Sequence, residues 1–412
     1  MATRKLYDED AYARGFDATV VEVHETEKDG GKYYDVILDR TLFFPEEGGQ
    51  TCDRGNLRLG GLVPAEIEEE ISNRPQAWNV EDVQIDGENK IHHILDQPID
   101  IGTRVHGEID WNHRFSNMQQ HTGEHIFSGI VHAKKGYANV GFHLSDSVVT
   151  MDYDGELTDE EIQQIEYEAN EAIIKNIPVH CYYPELEALE RMDYRSKIQI
   201  DGAVRIVEIS GVDCCACCAP HVKTTAEVGM LKVIGHQRYK GGIRLTILCG
   251  FRALRDYDRV SGIATMASQE LSVSQDALVD AVLKQKEDMA NLKVALGEAN
   301  TRVMNQELSQ VDLEAENVVL FSENVPNLVM RNAVNTLMEK HSGYAAVFNL
   351  DGNRYQFIIG SQERDARELS TLLREKYGAK GGGSSDMVQG SMEKETPMME
   401  KEIRELFNNG IS

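Results

Sequence analysis

The chain has 412 residues, 41% of them apolar, with 69 acidic against 42 basic side chains and a formal charge of −27. That length suggests two or three domains, and that apolar share suffices for real cores, which excludes a fibrous or disordered chain. The surplus of carboxylates argues against general affinity for nucleic acid, because phosphate binding needs clustered Lys and Arg.

Residues 1–110 read as strands and tight turns. Asp17 to Val23 and Lys32 to Leu38 are β-rich, and Asp29-Gly30-Gly31 between them signals a hairpin. Further strand-like segments around Gly48-Gly49, Gly60-Gly61 and Asp86-Gly87 have the spacing of a small barrel. From Asn117 to Ala133 the pattern predicts a helix, with Met118, Ile126, Phe127, Ile130 and Val131 as its apolar residues. A second helix begins at Leu157-Thr158, where Thr158 and Glu161 make a capping-box signature, and stops before Pro178. Strands return at Val204 to Ile209 and Ile243 to Cys249, so this middle region is α+β.

Between Gly229 and Arg255 lie Lys232, Arg238, Lys240, Arg244, Arg252 and Arg255 with no acidic residue. The stretch reads either as a local basic surface or as a solvated strand face. From Arg255 to Gln310 there is no Pro, and Leu278, Val282, Gln285, Met289, Leu292, Leu296, Ala299 and Val303 step by four and three. That heptad seam predicts a paired helical segment, within one chain or between two, unless it is one amphipathic helix packed on its own domain. A strand (Asn317 to Phe321), a helix (Asn327 to Lys340), two strands (Tyr344 to Leu350, Arg354 to Ile359), a helix (Asp365 to Tyr377), a Gly-rich loop and a last helix (Thr396 to Phe407) form a separate small α/β unit. Apolar stretches such as Leu245 to Phe251 fall far short of the ~20 residues that span a bilayer. The N-terminal MATRKLYDEDAY has no apolar signal core. The expectation is a soluble, cytoplasmic protein with no membrane partner.

Of the cysteines (Cys52, Cys181, Cys214, Cys215, Cys217, Cys218 and Cys249), four crowd into five positions, too close for most disulfide geometries. In a cytosolic chain they point to metal or redox chemistry. His121-Thr122-Gly123-Glu124-His125 sits on the first predicted helix, where residues four apart share a face with Cβ atoms about 5–6 Å apart, suiting two imidazoles on one metal. Cys217-Cys218-Ala219-Pro220-His221 adds a thiolate and an imidazole, and zinc accepts such a set. Pro220 disfavours helix here, so these two would sit on a turn after the strand ending near Ile209. Cys214–Cys217 and Cys215–Cys218 are CxxC pairs, so the binding sulfur and a closed structural site both remain open. The HxxEH pattern by itself also suits a zinc peptidase with Glu124 as base, or a lyase.

These motifs together resemble the alanyl-tRNA editing proteins and the editing region of alanyl-tRNA synthetases. Phe43-Phe44-Pro45-Glu46-Glu47-Gly48-Gly49-Gln50 is similar to the family's FYPEGGGQ loop, followed by Asp53-Arg54-Gly55. Gln120 to His125 matches its HxxxH, and Cys217 to His221 stands at its CGGTH, here reading Cys-Cys-Ala-Pro-His. Gly381-Gly382-Gly383-Ser384-Ser385-Asp386-Met387-Val388-Gln389-Gly390 resembles the GGGxxDMAQGG of the synthetases' C-terminal domain.

The resemblance implies an α+β architecture: a β-barrel over 1–110, a zinc-containing editing domain over 111–254, a helical or coiled-coil connector over 255–312 and a C-terminal α/β domain over 313–412. As the chain starts at the barrel, no room is left for an ATP-binding aminoacylation domain, and a hydrolase acting in trans is expected. It would remove serine, and also glycine, from tRNA(Ala), because an alanine pocket rejects neither a smaller side chain nor an added hydroxyl well. Zn²⁺ would be held by His121, His125, Cys217 and His221, with Gln50 turned to the aminoacyl group. On a regular helix Glu124 points roughly 80° from the His pair, so its part at the catalytic site would be support rather than proton abstraction. Candidate tRNA contacts are Arg205, Arg238, Lys240, Arg244 and the Gly381, Gly382 and Gly383 segment, and the connector and C-terminal domain offer a homodimer surface.

Overall fold

The computed structural model describes residues 2–28, 30–60, 77–196 and 203–409. Asp29 and Gly61 of the expected hairpin and strand lie outside them. The chain forms two compact units, Met1–Ile263 and Ala264–Ser412.

The first unit opens with six strands: β1 (Gly15–Lys28), β2 (Gly31–Leu38), β3 (Gly55–Leu59), β4 (Ala77–Ile85), β5 (Ile91–Leu95) and β6 (Arg104–Ile109). They close a barrel in the order β1-β2-β5-β4-β3-β6, with Lys28 opposite Gly31 at the first hairpin. Alternation fills it: β5 buries Ile91, His93 and Leu95, and Val36, Leu57 and Val83 join the same core. Around Gly48-Gly49 the structure has no strand. The chain makes a tight turn there, Glu47 and Gln50 exchanging backbone hydrogen bonds of 3.3 and 3.1 Å, with Gly48 and Gly49 at φ +62° and +83°. Those angles suit glycine and break a ladder.

Helix α1 (Trp111–Lys135) begins at Asp110, whose carboxylate accepts from the His113 N–H, and ends at Gly136 in the left-handed region. Every residue from Asn117 to Gly129 is buried, so its polar side chains must find partners inside the fold. It is longer at both ends than the sequence predicts. Next come β7 (Asn139–Leu144), β8 (Val149–Tyr153), α2 (Asp159–Ile174), β9 (Val179–Tyr182), β10 (Ile206–Ile209), β11 (Asp213–Ala216), β12 (Leu231–Tyr239) and β13 (Gly242–Cys249). The capping box at Thr158 and Glu161 forms as expected. A four-stranded sheet, β12-β13-β8-β7, and a three-stranded sheet, β9-β10-β11, are antiparallel throughout. Phe127 and Val131 of α1, Ile165 of α2, Met151 of β8 and Leu245 and Ile247 of β13 share one core.

The helical stretch from Arg255 to Gln310 is interrupted. α3 (Gly250–Glu270) follows β13 directly, Ser272 takes φ +54°, and α4 (Leu278–Ser309) begins anew. On α4 the seam residues Val282, Met289, Leu292, Leu296 and Val303 are 51–70% exposed. The second unit's sheet has β14 (Val318–Glu323), β15 (Ala345–Asp351), β16 (Arg354–Gly360), β17 (Lys380–Gly383) and β18 (Met387–Glu393) in the order β14-β15-β16-β18-β17. Only β14 and β15 run parallel. Helices α5 (Asn327–Met338), α6 (Ala366–Tyr377) and α7 (Met399–Asn409) cover it. Phe348 and Phe357 meet Leu369 and Phe407 on one face, while Val347 and Ile358 meet Met330 and Val334 on the other. The Gly-rich segment expected as a loop is the edge strand β17. A Cβ on Gly381 would lie 2.3 Å from the Gln389 carbonyl oxygen, so glycine permits the close pairing. Among the described residues no helix is long and apolar enough to cross a membrane.

Candidate metal centre

His121 and His125 stand one turn apart on α1, their ring centroids separated by 5.4 Å. The loop carrying Cys217 and His221 follows β11, a strand the sequence pattern does not announce. Buried Arg205 pins this loop, its Nη1 donating to the carbonyls of Cys217 (3.0 Å) and Ala219 (2.9 Å). Cys217 Sγ then lies 3.5 Å from His121 Nε2 and 3.4 Å from His221 Nε2, and the four ligand atoms of His121, His125, Cys217 and His221 all lie within 4.8 Å of one another. A tetrahedral zinc with N at about 2.0–2.1 Å and S at about 2.3 Å has N···S edges of roughly 3.6 Å. The donor set fits the ion.

Each imidazole is gripped by its other nitrogen. Gln50 Oε1 accepts from His121 Nδ1 (2.7 Å), Asp213 Oδ2 from His125 Nδ1 (2.8 Å) and Thr122 Oγ1 from His221 Nδ1 (3.0 Å). That orients each ring with its Nε2 toward the common centre, the nitrogen a cation would take once it is unprotonated. Asp213 is itself held by Arg195, Nε to Oδ1 at 2.7 Å and Nη2 to Oδ2 at 2.8 Å. The approach of Asp213 depends on Gly129 of α1, where a Cβ would sit 2.3 Å from the Val212 carbonyl oxygen. Gln50 is placed by a second clamp. Fully buried Arg114 of α1 donates through Nε and Nη2 to Asp53 and through Nη2 to the Leu42 carbonyl (2.5 Å), tying the Gly48-Gly49 turn to the helix.

Burial and neighbouring charge set the protonation. Burial pulls His221 down to about 3, so its ring is neutral. Burial also pulls at His125, but the hydrogen bond to Asp213 and the contact with Cys217 outweigh it and lift the ring to about 9. At Cys217 burial favours the thiol, yet the neighbouring imidazoles of His121, His125 and His221 and their hydrogen bonds hold it well below the ordinary range, as a thiolate. Burial raises Cys214, Cys215 and Cys218 instead. Of the four crowded sulfurs, Cys217 is therefore the one charged for metal. Cys215 does group with His125 and Asp213, but Arg195 and His125 Nδ1 already occupy that carboxylate.

Glu124 is fully buried. Its Oε1 accepts from Ser128 Oγ (2.7 Å) and Asn139 Nδ2 (2.6 Å), and its Oε2 lies 3.8 Å from His125 Nε2. Arg205 is 6% exposed and serves the metal loop, so a phosphate contact from it is not favoured by its placement. Arg244 pairs with Asp152 at 2.6 and 2.7 Å, Lys232 with Glu166 and Arg238 with Glu156, so three of the six basic residues of the stretch are ion-paired within the fold. Lys240 lies in the β12–β13 turn over Tyr239, and Gly381 to Gly383 belong to the second unit. The structure thus gathers Gln50, His121, His125, Cys217 and His221, with Glu124 adjoining. Asp213, Arg195 and Thr122 complete the site without any signal in sequence spacing. A hydrogen-bond census of the fold is what finds them.

The family model described as Threonyl and Alanyl tRNA synthetase second additional domain matches residues 204–246, which include Cys217 and His221. The alanyl-tRNA editing protein Aarsd1-B of Xenopus laevis is 30% identical over 297 residues, 69% of this chain and 68% of that protein. The chain belongs to the alanyl-tRNA editing proteins. It is also 26% identical to the editing protein AlaX-L of Pyrococcus horikoshii over 94% of both chains. It is 28% identical to the alanine--tRNA ligase of Ignicoccus hospitalis over 97% of this chain, and spans 42% of that ligase's length. Among solved structures, the C-Ala domain of Aquifex aeolicus alanyl-tRNA synthetase matches 23% of this chain and 91% of its own, at 22% identity and a TM-score of 0.20.

Proposed function

We propose that this editing protein hydrolyses, in trans and in the cytoplasm, the ester joining a wrong amino acid to the 3′ end of tRNA(Ala), serine and glycine being the residues it clears. The observation that carries the reading is the convergence of three Nε2 atoms on the Cys217 thiolate in a member of this family. Zn²⁺ on His121, His125, Cys217 and His221 would supply a fixed positive charge for a developing oxyanion or for a water. The chain's own part is positioning. Gln50 holds His121 with Oε1, while its buried Nε2 has no partner among the described residues and is the donor left for the aminoacyl group. Glu124, its Oε1 bound to Ser128 and Asn139, is read as support inside the helix rather than as the base that takes a proton from water, which weighs against a peptidase. Arg238, Lys240, Arg244 and the Gly381–Gly383 strand are assigned to the tRNA body, and the exposed seam of α4 to a second copy.

The test is deacylation of Ser-, Gly- and Ala-tRNA(Ala) side by side, with and without chelator, for wild type and His121→Ala. Loss of Ser and Gly release in the variant and on chelation supports the reading; release that persists in both overturns it. The closed set of four protein ligands favours one rival, a tRNA-binding protein with a structural zinc. It predicts binding without turnover.

A further inference from the structure

Where α1 leaves the barrel, three segments of the chain bring aromatic rings and cations together. Trp111 stacks on Phe115 at 5.6 Å and meets Tyr12 at 5.4 Å. The exposed guanidinium of Arg14 lies 4.5 Å from the Trp111 ring centroid, and the exposed ammonium of Lys223 lies 4.3 Å from that of Tyr12. Tyr12 is locked, its O–H donating to Glu227 (2.6 Å) and accepting from the Lys223 N–H (3.0 Å). Beside them opens a cavity of about 330 Å³ walled by Arg14, Gly15, Gly55, Asn56, Glu108 and Trp111.

Lys232, Arg238 and Arg244 are ion-paired, whereas Arg14 and Lys223, like Lys240, Arg252 and Arg255, pair with no carboxylate among the described residues, and of these Arg14 and Lys223 lie over the Trp111 and Tyr12 rings. In so acidic a chain, two uncompensated cations over half-buried aromatic rings suit a ligand that offers a flat π-face and a phosphate together. Two carboxylates also line the cavity, Asp110, which caps α1, and Glu108, which pairs with Arg58 at 3.3 Å.

We propose that this cavity receives an unpaired nucleotide of the tRNA 3′ end, its base stacked on the Arg14–Trp111 ladder and its phosphate facing Lys223. The inference rests on the reading given under Proposed function. Trp111 precedes His121 by ten residues on one helix, about 15 Å along its axis. At about 3.4 Å per stacked nucleotide that span takes roughly four nucleotides, the length of the single-stranded acceptor end. Asn56 offers an amide and Glu108 an acceptor to the edge of the base, and base stacking on aromatic and guanidinium planes is how single strands are usually held.

Trp111 reports on its own site, because the chain has two tryptophans and the other, Trp78, is 3% exposed in the barrel core. In a Trp78→Phe background, titration with intact uncharged tRNA(Ala) should quench Trp111 saturably. The same tRNA lacking its last four nucleotides should bind at least about fivefold more weakly without that quench. Arg14→Ala, an exposed change, should weaken binding of the intact tRNA by about fivefold and leave binding of the truncated one and the melting temperature unaffected. Equal quenching by both tRNAs, or an Arg14→Ala affinity equal to wild type, overturns the proposal even if deacylation is robust. If wild type releases no amino acid, the reading of the metal centre fails, and the Trp111 titration still decides this pocket.

Discussion

Asp213 is the side chain whose alteration most directly probes the metal centre. Its Oδ2 accepts from His125 Nδ1 at 2.8 Å while Arg195 holds both oxygens. Asp213→Asn keeps an acceptor for the imidazole but removes the charge that aligns it and leaves a buried guanidinium unmatched. Losing such a carboxylate behind a ligating histidine typically weakens metal binding 10–100-fold, about 1.4–2.7 kcal/mol. Breaking a buried ion pair from one side costs about 3–5 kcal/mol of folding stability in addition. Arg195→Met separates the two effects, since it spares the hydrogen bond to His125 and should reduce zinc affinity less than Asp213→Asn does. The assay is competition for Zn²⁺ against a chromophoric chelator at neutral pH, with a urea titration for stability. Zinc affinity unchanged in Asp213→Asn, with the protein folded, would refute the claim that this carboxylate orients the ligand.

Zinc binding should be proton-linked with a defined sign. His125 titrates at about 9, above its ordinary range, because Asp213 and Cys217 favour its charged form over the opposing effect of burial. Zinc needs the neutral ring, so affinity should rise by about tenfold per pH unit from neutrality up to about pH 9, then level off. His221 is already neutral and Cys217 already ionised there, so isothermal titration in buffers of different ionisation heat should show net proton release on zinc binding near neutrality; no release would contradict the assignment. Gly129→Ala should destabilise by about 1–3 kcal/mol, as its Cβ drives into the Val212 carbonyl, and should lower zinc affinity by displacing Asp213, readable by thermal denaturation and chelator competition. Arg114→Met strips the Asp53 clamp from the fully buried junction of barrel and helix. A cost of about 3–5 kcal/mol in urea titration is expected.

The barrel was legible because its strands are punctuated by glycine-bearing turns. α2 was legible because Thr158 and Glu161 spell its start, and the ligand pairs because each half repeats at a spacing of four. Other elements leave no such trace. β9 exposes three of its four residues and β12 alternates with charged side chains, so neither carries a clear apolar period. β17 has glycine at three of four positions and reads as loop until its register with β18 is seen. Asp213 and Arg195 meet across 18 residues through a sheet edge, a relation no linear spacing encodes. The α4 seam reads as a pairing surface, and the fold leaves it exposed, so packing within the chain does not account for its apolar period.

The ligands come in two halves, HxxxH and CxxxH, and the Cys217–His121 contact spans 96 positions of the chain. In an extended polymer each half is at most a bidentate chelator, so tight loading with zinc would await closure of that long loop, and the ion would then act as a staple across it. Saturating zinc should consequently raise the melting temperature with ligand concentration, as mass action requires. Refolding without the ion should return a looser species that matures when metal is supplied. Metal content per chain would thereby measure how much of a preparation has completed its tertiary closure.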